Sequence, residues 1–289
     1  MKPLFHSSSF CFFSVSLLMI FVINIPTCLC EDDEYMNCNT AFSCEDNTKD
    51  LKYPFWGGNR ESYCGGVADG INTELTCENK LSKITINSVK YRILEWENTT
   101  QKLTVARDDY ASRNVCAVDT NIERSSFEYT QFQLNSNEFA NLTLLYGCNV
   151  VPGTLPNPFY DIGCGQSKYV VFTVVYSASF PACTPTRKVV IPILGNLAAQ
   201  LGSGIGILGD VLQDSLQKGF DLKWTGNYSE CQSCVASGGA CGNGDTQFRC
   251  FCDDGAHATS CDSPVLPTSS MSIISLSPLF FSFFESSMF

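Results

Sequence analysis

Apolar and polar positions alternate along much of this chain, and the alternation predicts strands. Lys83-Ile84-Thr85-Ile86, Tyr91 to Trp96 and Lys102 to Arg107 mix β-branched or aromatic residues with polar ones at a period of two. Asn-Ser and Asn-Thr-Thr segments separate them, so the three runs read as an antiparallel meander. Asn141 to Tyr146, Tyr169 to Tyr176 and Phe220 to Trp224 are also strand-like. Lys188 to Ile193 reads as an edge strand, because Pro192 has no N–H to give a ladder. Ile207 to Lys218 breaks the pattern. There Ile207, Leu208, Val211, Leu212 and Leu216 recur at helical spacing, and Gly219 is a stop signal. The expected class is mainly β, with two small Cys-rich β modules and one short helix in the second.

The ends of the chain differ from its middle. Lys2 is followed by an apolar run from Phe10 to Ile25, then Pro26 and the small-residue stretch Cys28-Leu29-Cys30. This is the order of a signal peptide over residues 1–30, and the run is short for a bilayer span. Residues 263–289 are rich in Ser and Phe. Two readings stay open for them: a disordered tail, or a weak signal for a lipid (GPI) anchor.

Cysteine usage agrees with secretion. Removal of residues 1–30 takes away three of the 17 cysteines. It leaves Cys38, Cys44, Cys64, Cys77, Cys116, Cys148, Cys164, Cys183, Cys231, Cys234, Cys241, Cys250, Cys252 and Cys261, an even set fit for disulfides in an oxidising compartment. Spacing does not fix which cysteine pairs with which. Cys231 to Cys261 is too small for an apolar core and is expected to be held by bridges rather than by zinc. Asn98, Asn141 and Asn227 begin N-glycosylation sequons, which in a secreted chain mark exposed surface. The expected modules are 31–116 and 117–262.

Charge narrows the function. Glu31 to Asp262 holds 17 lysines and arginines against 28 acids. That balance argues against nucleic acid as a partner. His257 is the single histidine beyond residue 30 and reads as an exposed loop residue. One imidazole cannot supply a multi-histidine metal site, and no catalytic constellation stands out, so neither an enzyme nor a metal site is expected. Gly204-Ile205-Gly206-Ile207-Leu208-Gly209 fits a phosphate-loop pattern but lacks a preceding strand in a βαβ unit, so it reads as a loop before the helix.

A family resemblance rests on spaced motifs. Cys38, Phe42-x-Cys44, Tyr53-Pro54-Phe55-Trp56-Gly57-Gly58, Tyr63-Cys64-Gly65 and Leu75-x-Cys77 resemble the galacturonan-binding domain of plant wall-associated kinases. Gly219-Phe220-x-Leu222-x-Trp224, Cys231-x2-Cys234-x2-Ser237-Gly238-Gly239-x-Cys241-Gly242, Phe248-x-Cys250-x-Cys252 and Asp254-Gly255 resemble their C-terminal domain. Within that family the chain resembles the leaf rust resistance type of receptor-like kinase. The resemblance implies an extracellular cell-wall-sensing module that binds pectic polysaccharide, in the wall or at the outer face of the plasma membrane. No Val-Ala-Ile-Lys, His-Arg-Asp or Asp-Phe-Gly motif occurs, so kinase activity is not carried over. The alternative is a secreted protein-interaction module, a decoy or co-receptor that binds a peptide or a receptor ectodomain. A cell-surface receptor kinase is then a possible partner.

The candidate sugar contacts follow from this reading. Tyr53, Trp56 and Tyr63 offer aromatic faces, and Arg60 can meet a uronate carboxylate bidentately. Phe55 and Trp56 also suit a small core. Lys80, Lys83, Lys90 and Arg92 lie on adjacent expected strands and form either a basic patch or an ordinary solvated face. No cofactor is expected, beyond Ca2+ as a bridge between protein carboxylates and uronates.

Overall fold

The computed structural model describes residues 33–45, 50–66, 72–117, 132–134, 138–151, 153–166, 168–175, 185–205, 208–244 and 247–266. The signal-peptide reading, most of the tail, Cys183 and Tyr176 lie outside them. Helix α1 (Asp33–Asn39) is followed by β1 (Leu75–Glu78), β2 (Leu81–Ile86), β3 (Val89–Glu97), β4 (Lys102–Arg107) and the short α2 (Asp108–Ala111). Strands β5 (Phe132–Leu134), β6 (Phe139–Tyr146), β7 (Tyr160–Gly163), β8 (Tyr169–Thr173) and β9 (Arg187–Leu194) come next. Helices α3 (Gly195–Ser203) and α4 (Leu208–Lys218) precede β10 (Phe220–Trp224). Helix α5 (Tyr228–Ala236) leads to β11 (Ala240–Gly244), β12 (Gln247–Cys252) and β13 (Gly255–His257). The protein is mainly β and disulfide-rich, as the alternation and the cysteines predict.

The expected meander forms. β1 to β4 pair antiparallel in sequence order. Asn79-Lys80 and Asn87-Ser88 turn the first two hairpins with positive φ at all four residues, the conformation that two-residue hairpin loops require. One face of this sheet is apolar. Ile84, Tyr91, Ile93, Trp96, Leu103 and Val105 point to it, and the loop residues Phe42, Leu51 and Phe55 cover it. Phe55 meets Trp96 edge-on at 5.0 Å.

The sheet does not close within its own half of the chain. Its order is β1-β2-β3-β4-β10-β5, so strands from beyond residue 117 complete it. Phe220, Leu222 and Trp224 join the same core. Gly219 makes the entry of β10 possible: its φ is +65°, and a Cβ there would sit 1.9 Å from the Val105 carbonyl oxygen. The module boundary expected near 116 is therefore crossed by the sheet.

A second sheet, β7-β8-β6-β9, places the proline-bearing β9 at its edge, as Pro192 requires. Helices α3 and α4 cover it through Ala198, Leu201, Leu212 and Leu216. Among the described residues, three helices (α3, α4 and α5) thus stand in the second region where one was expected. Helix α3 carries only Leu197, Ala198 and Leu201 inward, among small residues that weaken the periodic signal. Helix α5 buries Cys234, so bridging rather than an apolar stripe anchors it. Because α3 precedes Gly204, the glycine pattern there has no strand before it.

Six bridges join Cys38–Cys64, Cys44–Cys77, Cys116–Cys164, Cys231–Cys241, Cys234–Cys250 and Cys252–Cys261. Cys148 is bridged as well. The last three tie α5 to the three-stranded sheet β11-β12-β13 as a knot. Cys250, Cys252 and Cys261 lie close together, but their sulfurs are spent in disulfides and are not thiolate ligands. The knot folds back on the first region: Phe248 packs on Tyr53 at 5.9 Å and Phe251 on Tyr63 at 5.7 Å. Asn243 donates to the carbonyls of Ser62 and Gly65. His257, expected in an exposed loop, is instead 1% exposed on β13, because the strand pairs with β12 inside the knot. Asn98 is exposed, whereas Asn141 and Asn227 are half-buried.

Candidate functional site

The two groups of expected contact residues lie on opposite sides of the six-stranded sheet. The loop carrying Tyr53, Trp56, Arg60 and Tyr63 covers the apolar face, while Lys83, Lys90 and Arg92 alternate with core residues and point the other way.

Exposure fails as an expectation for Tyr53 and Arg60. Arg60 is 2% exposed. It donates to the carbonyls of Phe55 (3.1 Å), Cys38 (2.8 Å), Cys64 (3.4 Å) and Thr40. Burial pulls its pKa down to about 10. The guanidinium replaces a strand ladder for this irregular loop, because buried carbonyls need donors. Tyr53 is 5% exposed under Phe248. Burial first, and the charge of Glu230 second, push its hydroxyl above the usual tyrosine range. Tyr63 is half-buried and its hydroxyl accepts from Asn37 at 2.7 Å. Phe55 belongs to the core, and Trp56 is half-exposed beside Gly65.

The polar face keeps the cations together. Lys83 pairs directly with Arg92 across the ladder, and Thr85 with Lys90. Lys83 and Lys90 border an open cleft of about 490 Å³, lined also by Asn79, Ser88, Val89, Asp108, Asp109, Ser112 and Arg113. Carboxylates already engage most of these cations. Lys83 is 4% exposed and contacts Asp108 at 2.8 Å and Glu78 at 3.4 Å. Lys90 meets Glu78 at 2.5 Å, and Arg92 meets Asp108 at 3.5 Å. Arg107 pairs with Asp109 at 2.9 Å, and Lys80 turns to Glu45 at 2.8 Å. Arg113 is exposed and has no ion-pair partner among the described residues.

These pairs set the local electrostatics. The Lys90 hydrogen bond, with Lys83 nearby, holds Glu78 below the usual glutamate range. Burial opposes ionisation of Asp108, but Lys83, Ser112 and Arg92 outweigh it and hold Asp108 below the usual aspartate range. Among the residues that line the cleft, Lys83, Lys90 and Arg113 outnumber Asp108 and Asp109 by three to two. The cleft is thus locally basic in a chain of net charge −11. Sequence reasoning missed Arg113 and the acids that bind the lysines. Arg113 follows β4 by one helical turn, and only the fold brings it to β2 and β3.

Comparison with known proteins bears on what this surface serves. Residues 38–107 match the family described as wall-associated receptor kinase galacturonan-binding. Residues 165–255 match wall-associated receptor kinase C-terminal. Among curated proteins, the chain is similar to leaf rust 10 disease-resistance locus receptor-like protein kinase-like 2.1 of Arabidopsis thaliana, with 29% identity over 84% of this chain and 38% of that protein. The 1.2 and 2.5 members of the same Arabidopsis thaliana group are 28% and 26% identical over 83% and 81% of this chain and 36% of each relative. The chain thus spans well under half the length of these relatives. No solved structure matches it significantly. Both matched modules are extracellular and non-catalytic, and no helix among the described residues is long and apolar enough to cross a membrane. The chain thus matches, in order and joined through one sheet, both modules of wall-associated receptor kinase ectodomains, and over most of its length it is similar to the leaf rust 10 type.

Proposed function

We propose that the cleft beside β2 and β3 binds pectic polysaccharide through the uronate carboxylates of galacturonan. The local excess of cations in an otherwise acidic protein, on the module matched to galacturonan binding, carries this reading. Arg113 and Lys90 are its direct contacts, because they are exposed and their charges reach solvent. Arg92 is half-exposed and supports them, whereas Lys83 acts from beneath by holding Asp108. The reading includes the cell wall or the outer face of the plasma membrane as location, supported by the extracellular nature of both modules. It extends to a cell-surface receptor kinase as partner, supported by the names of the relatives alone.

Titration of the purified chain with galacturonan oligomers tests it. Lys90→Ala with Arg113→Ala is expected to weaken binding about tenfold, since each exposed charge contact is worth at most about 1 kcal/mol. Added salt weakens it further by screening. Binding lost on chelation of Ca2+ assigns Glu78, Asp108 and Asp109 to a cation bridge, since Ca2+ takes oxygen ligands from protein and uronate alike. Binding indifferent to chelation assigns the contact to the cations directly. No binding in either buffer rejects the proposal.

A further inference from the structure

Glu78 ends β1, one residue before the Asn79-Lys80 turn, and the Cys44–Cys77 bridge anchors the strand beside it. Its carboxylate spans two lysines of the neighbouring strands. Oε1 lies 2.5 Å from Lys90 Nζ, and Oε2 lies 3.4 Å from Lys83 Nζ. Thr76 Oγ1 donates to Oε1 at 3.5 Å. Glu78 does not line the cleft, but both lysines do, so it holds them from the rim.

The two lysines depend on Glu78 to different degrees. Lys83 is buried and keeps Asp108, whose Oδ2 lies 2.8 Å away and whose Oδ1 accepts from Ser112. Without Glu78 its buried ammonium is therefore not orphaned. Lys90 has a side chain 43% exposed, and Glu78, itself 39% exposed, is its one ion-pair partner among the described residues. A pair so open to water is weakly held, and a second carboxylate can exchange into it. The Lys90 hydrogen bond, ahead of other causes, keeps Glu78 below the usual glutamate range, so the present occupant is an anion at neutral pH.

We propose, on the reading of this cleft as a galacturonan site, that Glu78 is a built-in competitor: it clamps Lys90 at the rim, and a ligand carboxylate takes Lys90 only by displacing it. In the resting protein Glu78 occupies Lys90 and Asp108 occupies Lys83. Arg113 is left as the lining cation without an ion-pair partner among the described residues, and it is the point of first contact for an anionic ligand. Transfer of Lys90 from Glu78 to the ligand then adds the second contact. A tethered carboxylate competes at a high effective concentration. Glu78 thus lowers affinity and sets how firmly an anion must be held elsewhere before the cleft fills. It is a specificity-determining residue and not a contact.

Galacturonan oligomers titrated into the full oxidised chain, with and without chelation of Ca2+, test this in Glu78→Gln, Lys90→Ala and the double variant. Glu78→Gln keeps the side chain's size and removes its charge. It is expected to tighten binding about two- to fivefold. In the Lys90→Ala background the same substitution is expected to give no gain. An equal gain in both backgrounds is a general charge effect and overturns the clamp. Unchanged or weaker binding in Glu78→Gln overturns it too, while binding by the native chain keeps the galacturonan reading. Weakening seen only with Ca2+ present makes Glu78 a ligand of a bridging cation instead. Absence of binding in every variant rejects the galacturonan reading and the competitor together. One readout needs no ligand: acylation of the Lys90 amine, mapped by mass spectrometry, is expected to rise in Glu78→Gln, and an unchanged rate overturns the clamp whatever the oligomers do.

Discussion

The charged residues divide into those that hold the fold and those that face solvent, and burial separates them. Arg60 satisfies four carbonyls at once, so Arg60→Ala leaves several buried acceptors unpaired. It is expected to lower unfolding free energy by at least about 3 kcal/mol, read by urea denaturation, and so to fail as a selective binding variant. Arg113→Ala is expected to leave stability within about 0.5 kcal/mol. Asp108 adds a pH dependence of known sign. Its folded pKa lies below the ordinary aspartate value of about 3.9, so its stabilisation is whole above about pH 5 and drains as pH falls through the folded value. Acid titration of stability should therefore be shallower in Asp108→Asn than in the native chain. An unchanged slope would remove Asp108 from the account.

At the scale of elements, β10 is the strand that makes the first sheet whole. Its Phe220 and Leu222 sit in the core formed by β2, β3 and β4, and Asp221 accepts from Thr104 Oγ1 at 2.7 Å. Residues 31–116 alone would leave β4 as an open edge and strip Phe132, Phe220, Leu222 and Trp224 from the core. That fragment is expected to show no cooperative melt, whereas residues 31–262 melt as a unit by circular dichroism. Gly219→Ala tests the same joint. A Cβ against the Val105 carbonyl, at positive φ, is expected to cost at least about 2 kcal/mol. Strands β2, β3, β4, β6, β8, β9 and β10 and helix α4 were legible because their apolar periods are regular, whereas β1, β5, β7 and β11 to β13 are too short or too rich in Cys and Gly to show one. Helices α3 and α5 were not, because small residues and cysteines give no periodic stripe.

Across the whole molecule, the C-terminal knot is a lid on the N-terminal loop rather than an appendage. Phe248 and Phe251 pack on Tyr53 and Tyr63, residues that look like sugar-stacking aromatics when met in sequence. Phe248→Ala is expected to destabilise the protein by about 3 kcal/mol. It should also raise hydrogen exchange in residues 53–64, which are remote from it in sequence. Exchange confined to the knot would show that the two regions are independent.

Sequence by itself determined the β class, the meander, the edge position of β9, the bridged state of the described cysteines and the likeness to both wall-associated receptor kinase modules. Those features follow from local alternation, turn residues and spaced motifs, which act over a few residues or are carried whole by the family. Tertiary structure decided the rest. It paired the cysteines, put β10 into the first sheet, turned Arg60 and Tyr53 inward and brought Arg113 to Lys90. Burial and charge pairing depend on which distant segments meet, and no local period encodes that.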